Sequence, residues 1–144
     1  MEVKKREPVI ERPLFVIALI CCIVLVNLFR PSPLDEINFT DCTVGVCIGY
    51  DRVFSYLSKE QTDEFLTVIK HADIGMSVGT AYTDLVGGHV KTYRVFFKNG
   101  EILDISSYDV MLIINRCGYK CDKQTLDKLN KCWDEIYDIY YKSN

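Results

Sequence analysis

Seven cysteines and two histidines are the residues of this 144-residue sequence best suited to nucleophilic or metal chemistry. A cysteine nucleophile needs a histidine within hydrogen-bonding distance, and no sequence spacing places one there. A zinc knuckle has two cysteines separated by two residues, and no such pair occurs. The sequence therefore predicts no catalytic residue, no metal ligand and no cofactor.

His89 is the histidine with the clearest chemical potential. It follows Gly87-Gly88, with Asp84 and Lys91 expected nearby on the same hairpin, an arrangement that suits a general base. An exposed turn residue is the simpler interpretation. His71 is expected at a helix end, where its charge would suit the helix dipole.

Five cysteines lie outside the N-terminal apolar run: Cys42, Cys47, Cys117, Cys121 and Cys132. A straight strand would separate Cys42 and Cys47 by roughly 16 Å, too far for a disulfide. A Cys117–Cys121 disulfide is compatible with the sequence, because Gly118 permits the chain to turn between them. Buried free thiols are the alternative.

An apolar run of sixteen residues, LFVIALICCIVLVNLF from Leu14 to Phe29, is the strongest pattern in the sequence. As a helix it would span roughly 24 Å of the ~30 Å hydrocarbon core, and Arg12 and Arg30 would reach the interfaces. We predict an uncleaved transmembrane signal-anchor helix over residues 13–30. A cleaved signal peptide is the alternative, although no small-x-small site follows the run.

Basic residues precede this run, so the positive-inside rule predicts that residues 1–12 are cytoplasmic. Residues 31–41 would be a spacer stiffened by Pro31 and Pro33, and residues 42–144 an extracytoplasmic domain. The predicted location is the cell membrane, crossed once, with the lipid bilayer as a partner.

The charge balance argues against nucleic acid as a partner. The chain has 17 Lys and Arg against 20 Asp and Glu, for a net charge of −3. Proteins that bind nucleic acid carry a basic patch, which this composition does not supply.

Residues 43–72 predict two strands and a helix. Apolar and small residues alternate over residues 43–50, and a second strand is expected over 53–57. Ser58 and Gln61 have the spacing of a capping box, which predicts a helix from Ser58 to about residue 72.

Residues 78–107 predict two hairpins, closed by Gly87-Gly88 and by Asn99-Gly100. Treating the second connection as a two-residue turn places Phe97 opposite Ile102. The predicted register also groups Ile102 with the aromatic side chains of the first hairpin. Both faces of these hairpins are expected to be partly covered.

The aromatic side of the predicted hairpins is our candidate binding surface. It contains Tyr82, Tyr93 and Phe97, with His89 beside the turn, and would bind a ligand if the helices leave it open. Burial of these rings in the core is the alternative interpretation.

The C-terminal part predicts one further strand, a turn and a helix. The strand covers residues 109–115, the turn follows over 116–118, and Asp122 caps the last helix. An apolar stripe of this helix is expected to face the core: Leu126, Leu129, Trp133, Ile136 and Tyr140. The predicted fold class is α+β, with an antiparallel sheet packed against two helices in the order β-β-α-β-β-β-β-α, preceded by the transmembrane helix.

Three segments carry a resemblance to known sequences: SPLDEINFTDCTVG, then SVGTAYTDLVGGHVKTYRVFFKNGEILDIS, then LIIN followed by GYKCDKQTLDKLNKCW. Over residues 32–141 the chain resembles small exported or membrane-anchored domains of unknown function from Gram-positive bacteria. The resemblance implies a compact α+β fold outside the cytoplasm and carries over no active site.

The function predicted from these observations is a membrane-anchored, non-catalytic binding or interaction domain for a protein or cell-envelope ligand. The alternative is a small extracytoplasmic hydrolase or thiol enzyme that uses His89 or a cysteine. A third hypothesis is a subunit that acts through its N-terminal helix.

Overall fold

The chain divides into two compact units, residues 1–31 and residues 32–144. The first contains helix α1, Glu11–Leu28. The computed structural model describes residues 11–28, 32–48, 52–80 and 90–143. The predicted Gly87-Gly88 hairpin turn lies outside the described residues.

Helix α1 begins with two charged residues and a proline, Glu11-Arg12-Pro13, and becomes apolar only at Leu14. Its apolar part therefore covers roughly 22 Å at 1.5 Å per residue, against the ~30 Å hydrocarbon core of a bilayer. No helix among the described residues is both long and apolar enough to cross a membrane. The prediction of a transmembrane helix over residues 13–30 is wrong, while the extracytoplasmic location of residues 42–144 stays a prediction.

Within the described part of residues 32–144, seven strands form one antiparallel sheet, accompanied by helices α2 (Lys59–Lys70) and α3 (Lys123–Ser143). The predicted α+β class, with two helices and an antiparallel sheet, is confirmed. Across the sheet the strand order is β2-β1-β4-β5-β6-β7-β3. The strands are β1 (Thr43–Ile48), β2 (Arg52–Tyr56), β3 (Ile74–Thr80), β4 (Lys91–Phe96), β5 (Ile102–Tyr108), β6 (Met111–Ile114) and β7 (Cys117–Cys121).

Both predicted helix caps form. The Ser58 hydroxyl accepts a hydrogen bond from the Gln61 amide at 3.2 Å, and the Gln61 side chain accepts one from the Ser58 amide at 2.9 Å. Asp122 accepts from the Thr125 amide at 2.8 Å at the start of α3. These bonds satisfy amides that the first helical turn leaves unpaired.

The core lies between one face of the sheet and the two helices. Registered partners in neighbouring strands share a face, and one row runs through Val46, Tyr93, Ile105 and Ile114. All four side chains are buried. The helix side chains that complete this core are Phe65, Ile69, Leu126, Leu129 and Ile136. The predicted core stripe of α3 is thus confirmed at its three aliphatic positions.

Tyr93 connects the interior strand β4 to both helices. Its ring centroid lies 4.5 Å from that of Phe65 in α2. Its hydroxyl donates to the backbone carbonyl oxygen of Leu129 in α3 at 2.6 Å. Because the side chain is fully buried, this hydrogen bond has no competition from water.

Removing the Tyr93 hydroxyl tests this connection. We expect Tyr93→Phe to lower the free energy of unfolding by about 1 kcal/mol, because one buried hydrogen bond is lost and the ring remains. Tyr56→Phe, at a tyrosine that is 62% exposed, is the control and should change stability by less than about 0.5 kcal/mol. Urea unfolding followed by circular dichroism measures both, and equal effects would contradict the assignment.

The hairpin between β4 and β5 differs from its predicted register by one residue. Phe96 pairs with Ile102, whereas the sequence predicted Phe97 in that position. Gly100 adopts a φ of 85° and its amide donates to the Phe97 carbonyl at 3.0 Å. The turn therefore holds an extra glycine as a bulge and is not a two-residue connection.

This shift exchanges the two faces of β5. Ile105 pairs with Tyr93 and lies in the core, whereas Ile102 is 53% exposed on the opposite face. The predicted grouping of Ile102 with Tyr93 is wrong, because a one-residue slip moves every side chain of a strand to the other face.

Strands β6 and β7 are joined by a two-residue turn, Asn115-Arg116, with φ angles of 45° and 69°. Ile114 pairs directly with Cys117, so the chain extends where the sequence predicted a turn over residues 116–118. The sheet thereby gains a strand beyond the six predicted. Asparagine tolerates the left-handed conformation, whereas the arginine Cβ is strained by it.

Relieving that strain should stabilise the fold. We expect Arg116→Gly to raise the free energy of unfolding by about 0.5–1 kcal/mol. Loss of the Cβ removes the backbone strain, and the greater flexibility of glycine in the unfolded chain offsets part of that gain. Arg116→Ala keeps the Cβ and should give no gain. Denaturant titration of both variants separates backbone strain from the loss of the arginine side chain, and equal changes would refute the strain.

Candidate interaction surface

The predicted binding surface is only partly visible. Tyr82 and His89 lie outside the described residues, so the prediction as a whole stays untested. Tyr93 is fully buried. Phe97 is half-buried, and its ring centroid lies 6.0 Å from that of Phe39. The two described rings of this set therefore pack within the domain.

Cys117 and Cys121 lie at the two ends of strand β7. Four residues of extended chain separate their Cα atoms by roughly 13 Å, about twice the distance that a disulfide spans. Both are free thiols. The disulfide that the sequence allowed is not formed, because the chain extends through Gly118 and does not turn there.

Burial raises the pKa of four thiols of residues 32–144 above the ordinary value, which lowers their thiolate fraction further. It raises the pKa of Cys47 to about 11 and that of Cys121 to about 11. Burial also raises the pKa of Cys42 and of Cys132. Since the thiolate is the nucleophilic form, these four cysteines are poor nucleophiles.

The buried thiols predict a loss of stability in alkali. The pKa of Cys47 is about 11 in the folded protein against 9.0 for a free thiol, so above about pH 9 the unfolded chain releases this proton first and is favoured. We expect the melting temperature to fall between pH 9 and pH 11. Cys47→Ala should make this fall shallower, and an unchanged slope would contradict the role given to Cys47.

A cleft of about 460 Å³ lies between the end of α2 and the start of α3, lined in part by His71 and Asp122. His71 ends α2 as predicted, with its Nδ1 2.8 Å from the Thr67 carbonyl oxygen. The Asp122 carboxylate accepts hydrogen bonds from the Thr125 and Asp73 amides. Both side chains thus already have backbone hydrogen-bonding partners. Among the described residues, no group of three His, Cys, Asp or Glu side chains is placed to hold a metal ion.

Five aromatic side chains form one contiguous cluster between edge strand β2 and the second half of α3. We name it the aromatic surface, and its members are Phe54, Trp133, Tyr137, Tyr140 and Tyr141. The Phe54 centroid lies 5.6 Å from that of Trp133, 5.9 Å from that of Tyr137 and 5.3 Å from that of Tyr140. Tyr137 stacks on Trp133 at 5.0 Å, and Tyr141 lies 4.4 Å from Tyr137.

The aromatic surface has a packed base and an open rim. Trp133 and Tyr137 are half-buried, whereas Tyr140 is 38% exposed and Tyr141 is 53% exposed. The adjacent Ile139 is 61% exposed. Rings with an apolar body and a polar hydroxyl are suited to a surface that is wet when free and buried when bound.

Lys91 anchors the base of the aromatic surface to the sheet. Its Nζ lies 5.8 Å from the centre of the Trp133 ring and 2.5 Å from an Asp134 carboxylate oxygen. The same group donates to the Asn130 carbonyl oxygen at 3.4 Å. Because Lys91 belongs to β4 and its partners belong to α3, these contacts fix the helix position below the rings. The Trp133 indole N–H is buried and meets no acceptor among the described residues.

This surface was not predicted from the sequence. The prediction that Tyr140 belongs to the core stripe of α3 is wrong, because its side chain is partly exposed. The four-residue spacing of Trp133, Tyr137 and Tyr141 puts these rings on one helix face and was the available signal. The approach of Phe54 depends on an irregular register between β1 and β2, which has no local signature.

No family model matches the chain, and no solved structure matches it. The resemblance to domains from Gram-positive bacteria therefore stays a prediction. The proposed function rests on the contacts and exposure of the described side chains.

Proposed function

We propose that residues 32–144 form a non-catalytic domain that binds a protein partner through the aromatic surface. The observation that carries this proposal is the contiguous cluster of five rings whose outer members are open to solvent. Tyrosine and tryptophan are the residue types enriched at the energetic centres of protein interfaces.

The position of the rings favours a protein over a small molecule. Small-molecule sites are concave and bury most of the ligand. Tyr140 and Tyr141 instead project from the last turns of α3, and the clefts at the α2–α3 ends and beside the β4–β5 turn are lined by other residues. A broad contact with a protein surface would cover both tyrosines together.

The surroundings of the rings are polar and electrically balanced. On the same helix, Lys142 pairs with Asp138 at 3.3 Å and Lys131 with Glu135 at 3.7 Å. An apolar centre with a polar border is the usual anatomy of an interface. The balance of charge supports a partner held by ring packing, with an affinity that depends little on salt.

Site-specific crosslinking followed by affinity measurement tests the proposal. We expect a photoreactive phenylalanine analogue at position 141 of the full chain to crosslink to the partner in the cells that produce this protein. The same analogue at Tyr56 is the control, since that side chain is 62% exposed and contacts Phe96 outside the aromatic surface. With the purified partner, Tyr141→Ala should weaken binding at least about 10-fold, and Tyr56→Ala should leave it unchanged.

Two results would overturn the proposal. One is equal crosslinking at positions 141 and 56. The other is an unchanged affinity of the purified partner for a folded Tyr141→Ala chain. Circular dichroism establishes the folded state, and since Tyr141 is half-exposed, its replacement is expected to leave the fold intact.

A further inference from the structure

We propose that the cleft beside the β4–β5 turn binds a ligand that carries an ammonium group on an apolar body. The cleft has a volume of about 550 Å³, within the range of roughly 300–1,000 Å³ that small-molecule sites occupy. Its walls come from residues 36–38 before β1, from the β4–β5 hairpin and from Asn115 in the β6–β7 turn. All three segments belong to residues 32–144.

The strand order brings these three segments together. β4 and β6 run in the same direction, because each pairs antiparallel with β5. The turns that follow β4 and β6 therefore lie at the same end of the sheet. Thr43, the first residue of β1, pairs with Phe96, the last residue of β4, so the chain before β1 also reaches this end. Strand pairing thus positions the walls of the cleft.

The floor of the cleft is apolar. Leu103 is buried, and Ile37 and Phe97 are half-buried. The Phe97 ring centroid lies 6.0 Å from that of Phe39, which belongs to the core. Ile102 adds an apolar side chain that is 53% exposed. This floor is suited to the hydrocarbon body of a ligand, because covering it removes apolar surface from water.

The charged side chains around this floor are all acidic. Glu36 and Glu101 are both exposed, and no lysine, arginine or histidine among the described residues lines the cleft. Lys98, the basic residue of the β4–β5 turn, pairs instead with Asp41 at 2.6 Å. Carboxylates beside a low-dielectric apolar wall attract cations. The cleft therefore selects a positively charged ligand.

The carboxamides of the two turns are already used within the chain. The Asn99 Oδ1 accepts from the Glu101 amide at 3.0 Å, and its Nδ2 donates to the Glu101 carboxylate at 2.8 Å. The Asn115 Oδ1 accepts from the Asp104 amide at 3.2 Å. These bonds hold Glu101 in place and leave acceptor positions on its carboxylate. The Glu36 carboxylate has no hydrogen-bonding partner among the described residues.

An ammonium group on an apolar body complements both parts of the cleft. Its three donors match the acceptor positions of the carboxylates, and its body matches the floor. An anion would be repelled by both glutamates, and a neutral apolar molecule would leave them desolvated without a partner. The inference goes beyond the proposed function and is independent of it, since no residue of the aromatic surface lines the cleft.

Titration with 2-phenylethylammonium, followed by the amide NMR shifts of the full chain at constant ionic strength, tests the inference. We expect saturable changes for residues 99–103 at millimolar concentration. 2-Phenylethanol has nearly the same body without the charge and should bind at least about 10-fold more weakly. A terminally blocked Leu-Lys-Leu peptide carries the ammonium group on a side chain, and its affinity relative to the free amine shows which source of this group the cleft prefers.

Neutral variants test the role of the two carboxylates. Glu36→Gln and Glu101→Gln should each weaken the binding of 2-phenylethylammonium about 3-fold, and the double variant should weaken it about 10-fold. Glu64→Gln removes one exposed carboxylate from α2 outside the cleft and is the matched control, with unchanged affinity. Since all three side chains are exposed, the variants are expected to fold, and circular dichroism checks this.

Three results would overturn the inference. The first is the absence of shift changes at residues 99–103 with both ammonium probes up to about 20 mM. The second is equal affinity for 2-phenylethylammonium and 2-phenylethanol. The third is a folded double variant that binds no more weakly than Glu64→Gln. The comparison of the two phenylethyl probes uses the unmodified chain, so it remains decisive if a variant unfolds.

Discussion

The core of residues 32–144 depends on the register between β4 and β5. Because alternate residues of a strand point to opposite faces, this register buries Ile105 beside Tyr93, and a shift of one residue would bring Asp104 under the helices. In the observed register Asp104 instead forms a two-point ion pair with Arg94, at 2.7 and 2.8 Å, on the other face of the sheet. Apolar burial and charge pairing thus select the same alignment, and the glycine bulge in the turn makes it geometrically accessible.

The sequence predicts the elements whose determinants lie within a few residues of each other. The predictions of a capping box at Ser58 and Gln61 and of a cap at Asp122 were correct, because both partners of each hydrogen bond lie in one short segment. The predicted register after Asn99-Gly100 was wrong, since this dipeptide suits both a two-residue turn and a longer turn with a bulge. Which of them forms is decided by the face that the two helices cover, and that information is not local.

Strand β7 and the aromatic surface escaped prediction for a related reason. Residues 117–121 include Gly118 and few strong strand formers, and they become a strand because β6 and β3 pair with them on both sides. Likewise, Tyr140 has the spacing of a core residue, but it lies toward the end of α3 and is only partly covered. The transmembrane prediction for α1 rested on the apolar residues of the run. The charged residues and the proline in the first turn of α1 shorten the apolar part of this helix.

The strand order has a consequence for the timing of biosynthesis. β3 pairs with β7, which follows it by roughly 40 residues along the chain, so translation at 5–20 residues per second supplies the partner strand about 2–8 s later. Until then the uncharged segment IGMSVGT is in the nascent chain without its neighbour. Slow elongation between codons 80 and 121 prolongs this interval. The yield of correctly folded protein therefore depends on the codons of this stretch and on chaperones that bind the nascent chain before β7 is made.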